Sequence, residues 1–190
     1  MKKLIIAGLA ITLGACAATE SSDGAPTSAV LAPERVTLGG MTNDEATKIL
    51  FEALIHKNYL ATMAGPNRIA LQFDDTQFLL QPSINPDGID RIMMNRFYAV
   101  HPKLRGSKDL LILVGTLNHK LNFAKFTLRE NGAVIQVQGA ATFVNTIELE
   151  EIRRFMLWTD EGLRQVANSM PKGSEQLIKP IPVMQQSQSL

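Results

Sequence analysis

Apolar and polar residues alternate most cleanly between Phe123 and Val144. In 123–129, Ala124, Phe126 and Leu128 share one side of an extended chain, and Lys125, Thr127 and Arg129 share the other. In 133–144, Ile135, Val137, Ala141 and Phe143 alternate with Gln136, Gln138 and Thr142. Glu130-Asn131-Gly132 joins the two runs, and Asn-Gly supplies the left-handed backbone angles of a tight hairpin turn. One sheet face is therefore packed and the other wet.

Upstream, Thr42-Asn43-Asp44-Glu45 is a capping box that predicts a helix. Ala46, Ile49, Leu50, Ala53, Leu54 and Ala61 keep helical spacing, with Phe51, Ile55 and Tyr59 widening the stripe until Gly65-Pro66 ends it. Alternation then predicts strands over 68–73, 76–81 and 91–100. Turns at Asp74-Asp75 and Asn85-Pro86-Asp87-Gly88 separate them. Ser107 caps a segment whose apolar run, 110–114, fits a buried strand as well as a helix. The spacing of Leu110, Leu113, Val114, Leu117 and Leu121 favours helix. Thr146 is expected to cap a last helix over 147–170, with Leu149, Ile152, Phe155, Met156, Leu163, Val166 and Met170 inward. Gly162 weakens its middle, and Glu150 can pair with Arg154. These elements predict an α+β two-layer sandwich: an antiparallel five-stranded sheet with helices on one face, in the order α-β-β-β-α-β-β-α.

The ends read differently. Lys2 and Lys3 precede a short apolar core, and Leu13-Gly14-Ala15-Cys16 follows it, the order of a secretory signal peptide. The small residues before Cys16 resemble the bacterial lipobox, which implies that Cys16 is lipid-modified after removal of 1–15. An ordinary signal peptide with a chance cysteine is the other reading. Cys16 is the only cysteine, so no intramolecular disulfide is possible in an exported chain. Ala17 stands where an Asp would resemble an inner-membrane retention signal. The expected address is thus the bacterial cell envelope, anchored in the outer membrane and facing the periplasm. Residues 16–40 are expected to be a flexible lipidated tether, 41–171 the folded domain, and 172–190 a disordered tail. Extended docking of 177–184 is the alternative for part of that tail. With Lys2 and Lys3 removed, 19 basic residues fall to 17 against 18 acidic ones, a net charge of −1. That balance gives no grip on nucleic acid, so the membrane is engaged through lipid rather than charge.

Leu117-Asn118 with 121–125, then Asn131-Gly132, then Thr146-Ile147 with Glu150-Glu151-Ile152 resemble the YbjN-like domain, whose fold is similar to type III secretion chaperones. The resemblance spans residues 44–168 and implies a fold without catalytic residues to carry over. The chain departs from the family in its lipobox and in lacking an aromatic residue near Asn118.

Chemistry-bearing residues do not assemble into a known set. His56, His101 and His119 have no partner at metal-ligand spacing, so no metal or cofactor is expected. Asp74, Asp75, Asp87 and Asp90 belong to turns, and Ser107 and Ser169 lack a nucleophile-elbow pattern. Met93-Met94 reads as one core and one surface side chain. Two function classes remain. The first is a non-catalytic, chaperone-like module binding another envelope protein or a second copy of itself through Phe123, Leu157 and Trp158. The second is a periplasmic small-ligand-binding or hydrolytic lipoprotein with a deep pocket.

Overall fold

A computed structural model describes residues 34–184. The signal segment, Cys16, most of the expected tether and 185–190 lie outside the described residues. In chain order the elements are β1 (Arg35–Thr37), α1 (Asn43–His56), β2 (Leu60–Gly65), β3 (Arg68–Phe73), β4 (Thr76–Ser83), β5 (Asp90–Val100), α2 (Lys108–Lys120), β6 (Lys125–Arg129), β7 (Val134–Phe143), β8 (Thr146–Glu148), α3 (Leu149–Ser169), α4 (Ser174–Leu177) and β9 (Ile178–Pro180). The fold is α+β, as expected. Its main sheet has seven strands rather than five, ordered β2-β3-β4-β5-β7-β6 with β9 also on β5, and every pairing is antiparallel. Among the described residues no helix is long and apolar enough to cross a membrane.

The first extra strand comes from the end of α1. The helical stripe was expected to continue to Gly65, but Asn58 turns left-handed (φ 61°) and Tyr59 N–H closes on the Leu54 carbonyl. Asn tolerates that conformation because its short side chain can bond locally. The chain leaves as β2 and puts Ala61 into the core. Ala61 fits helical spacing from α1 by coincidence.

The second comes from the tail. Pro180, Lys179 and Ile178 pair with Tyr98, Ala99 and Val100, and Ile181 N–H donates to the Phe97 carbonyl. The Gln77 Oε1 then accepts from the amides of both Val183 (2.9 Å) and Met184 (3.1 Å). Residues 174–184 are therefore a docked strap, which corrects the disordered reading for that part of the tail. Gln77→Ala should speed amide exchange at Val183 and Met184 about tenfold, as loss of roughly 1.4 kcal/mol of hydrogen bonding implies. Hydrogen-exchange mass spectrometry of the C-terminal peptide measures it.

The N-terminal boundary also moves. Val36 and Leu38 are buried, and β1 pairs with β8, so packing begins before residue 41. Thr146 lies in that ribbon and does not cap α3. Glu148 is the extended cap residue, its N–H donating to Glu151 Oε2 (3.1 Å), and Ile147 before it is buried. On the first turns of α3, Arg153 and then Arg154 bond Glu150 and hold its carboxyl at about 2.

Register places Ile69, Leu80, Met94 and Gly139 on one face of the sheet, and that face carries α1, α2 and α3. The other face bears Gln72, Gln77, Asn95, Gln136 and Gln138. There Asn95 Oδ1 accepts from both Gln136 (2.8 Å) and Gln138 (2.9 Å). The core has two parts. One packs α1 and the first half of α3 on β3–β5, around Leu50, Leu54, Phe78 and Ile152. The other packs Leu110, Phe123, Phe126, Ile135, Val137 and Leu163. Asn118 fastens α2 to the outer edge of β6, donating to the Phe126 carbonyl and accepting from its N–H, each at 2.8 Å.

Candidate functional site

The second core borders a pocket that opens to solvent. α2 buries Leu110 at 1% exposure, but Leu111 and Ile112 face outward at 59% and 54%. Leu113 and Leu117 are left half-buried over open space. Opposite them stand Leu163, Val166 and Ala167 of α3, with Phe126, Ile135 and Val137 of the sheet below. The strap closes a further side with Ile178 and Pro180. The cavity holds about 500 Å³, inside the range of roughly 300–1,000 Å³ usual for small-molecule sites.

Polar groups converge where the sheet forks. β4 accompanies β5 as far as Leu79 opposite Asn95, and β9 takes over on the same side from Pro180 opposite Tyr98. Thr76, Arg96 and Tyr98 lie at this gap and line the cavity. α3 brings Asp160 over it, 1% exposed. The Thr76 hydroxyl donates to Asp160 Oδ1 (2.5 Å), and Arg164 donates from Nε to Oδ2 (2.7 Å), with its Nη2 at 2.5 Å. Arg96 donates from Nη1 to the Thr76 hydroxyl (3.3 Å) and lies 3.7 Å from Asp160 Oδ1. Its guanidinium also sits over the Tyr98 ring, 5.2 Å from the centroid. Burial pushes the Tyr98 hydroxyl above its ordinary pKa. The arrangement can hold a small molecule with an apolar body and a polar end.

The expected partner surface is only partly present. Phe123 is 6% exposed, so it is a core residue and not a surface one. Its ring fills the space beside Gly162 and meets Trp158 edge-on at 5.9 Å. Leu157 and Trp158 are exposed, at 42% and 50%. His101 caps the short turn at Pro102 by accepting from Lys103 N–H, and Ser107 caps α2. Asp90 accepts from Asn85 N–H in its turn. Among the described residues no three metal-ligating side chains cluster.

Sequence reasoning missed Thr76, Arg96, Tyr98, Asp160 and Arg164. The signal was available as phase. Arg96 lies on the inward side of β5 with Met94 and Tyr98, and Asp160 lies on the buried stripe of α3 between Met156 and Leu163. A charged residue at a core position must be paired. No protein-family model matches the chain, and no curated protein matches it.

Proposed function

We propose that the protein is a lipid-anchored, non-catalytic binding domain of the bacterial cell envelope, and that the cavity behind the sheet fork holds a small amphipathic ligand. The observation that carries this reading is the open pocket beside the second core, apolar along its walls and polar at one end. Catalysis is not part of the proposal, because both carboxylate oxygens of Asp160 are already occupied by Thr76 and Arg164. Lipidation at Cys16 and an outer-membrane address belong to the same proposal and rest on the N-terminal sequence. Kinship with the YbjN-like domain is likewise proposed, supported by the α-strands-α-hairpin-α order between α1 and α3. Exposed Leu157 and Trp158 favour a second reading, an assembly module docking an envelope protein there.

Calorimetry with decanol separates the two. The full chain in nanodiscs should bind it with one-to-one stoichiometry above the empty-nanodisc blank. Ala167→Trp, which fills the cavity, should weaken binding at least tenfold, whereas Trp158→Asp should leave it unchanged. The opposite pattern removes the cavity from the account.

A further inference from the structure

We infer that the ligand is a monoanion, a carboxylate on an apolar body, with its head group on Arg96 and Tyr98. This rests on the cavity being a ligand site. Charge supports it: three cationic side chains, Arg96, Arg164 and Lys172, line the cavity against two carboxylates, Asp160 and Glu175. Three of these groups already have partners: Arg164 and Asp160 pair with each other, and Glu175 bonds a backbone amide. Arg164 is 61% exposed and holds Asp160 through Nε and Nη2. Glu175 accepts from Gly173 N–H at the start of the strap.

Arg96 is the deep cation, with its side chain only 15% exposed. Among the described residues its guanidinium makes one hydrogen bond, to Thr76, and the Tyr98 hydroxyl makes none. A guanidinium has five donors in a planar fork that matches a carboxylate. These free donors still reach solvent, since among the described residues the one buried side-chain N or O without a partner is Asn67 Oδ1. A ligand carboxylate replaces water there with paired charge-assisted hydrogen bonds that a neutral head group does not match. An ammonium would meet the net positive lining, and a dianion would bring two charges against a single excess one. The rest of the molecule must be apolar, since Leu117, Val137, Leu163, Val166 and Ile178 form the remaining walls.

The test is calorimetry of the full chain in nanodiscs with decanoate, decanol and decylamine at neutral pH, against empty nanodiscs. Decanoate should bind at least tenfold more tightly than decanol, and decylamine most weakly. Arg96→Met should abolish the preference, so that the variant binds decanoate no more tightly than decanol. Tyr98→Phe, which keeps the ring under Arg96, should weaken decanoate alone and by less. Equal binding of all three by the wild-type chain overturns the head-group assignment while leaving the cavity as a site. No binding of any of them overturns both.

Discussion

Asp160→Ala should lower the free energy of unfolding by about 3–5 kcal/mol, the usual cost of removing one partner from a buried ion pair. Asp160 is 1% exposed and joins three groups at the sheet fork. Without it, Arg96 keeps its charge in a site that is mostly closed to water, and the Thr76 hydroxyl loses its acceptor. Arg164 contributes little to the loss, because it is 61% exposed and water replaces the carboxylate. Arg164→Ala should cost less than Asp160→Ala, because Asp160 keeps Thr76 and Arg96 on Oδ1 although Oδ2 loses its partner. Asp160→Asn should fall between, since an amide oxygen still accepts from Thr76 but brings no charge to Arg96. Urea denaturation of the three variants gives the order. A loss near zero for Asp160→Ala would mean that Arg96 is hydrated in the folded chain.

Gly162→Ala should destabilise the domain by about 1–3 kcal/mol, the cost of overpacking a close contact. The sign is what makes this informative. At an open helical position the same change stabilises by about 1 kcal/mol, because alanine is the better helix former. In α3 a Cβ at 162 would sit inside the Phe123 ring, against its Cε1 and Cζ atoms. The partner change supplies the control. In a Phe123→Ala background, itself destabilised, Gly162→Ala should become neutral or stabilising, and the double-mutant cycle should show a coupling of about 1 kcal/mol or more. Gly139 of β7 makes a second such notch, where a Cβ would lie 2.6 Å from the Phe155 ring. Together the two glycines let α3 and the segment around Phe123 approach the sheet closely.

These two sites show which parts of the molecule were legible in its sequence. Gly162 could be read as a weak point of a helix, but its reason is a ring that arrives from 39 residues away in the chain. Local pattern carries no trace of that approach. The β6–β7 hairpin, the α2 cap at Ser107 and the α1 capping box are local devices, and each is found where the residues place it. The misses share one cause, which is tertiary pairing. β2 continues an apolar spacing that also suits a helix, and only the partner strand β3 decides for extension. β8 exists because β1 lies beside it, and β9 because β5 has a free side beyond the end of β4.

The cavity follows the same logic. Its walls look like ordinary core in the sequence, and nothing in the spacing of Leu113, Leu117 and Leu163 says that they do not meet. The polar end was within reach, because Arg96 and Asp160 occupy inward positions on their strand and helix. Two opposite charges in core phase, far apart in the chain, point to a buried pair and to the place where the packing is special. Phe123 failed as a surface residue for the converse reason. It lies off the predicted stripes because it precedes β6, and it is buried by α3 rather than by the sheet face.

The most direct test of the central claim is where a bound apolar molecule sits. With methyl-labelled Ile, Leu and Val in the full chain and unlabelled decanol as the probe, intermolecular nuclear Overhauser effects should reach Leu113, Leu117, Leu163, Val166 and Ile178. They should be absent from Leu111 and Ile112 on the outer side of α2. Contacts confined to Leu111, Ile112 and the surface around Leu157 would contradict the account and make α2 and α3 an outward-facing docking surface instead.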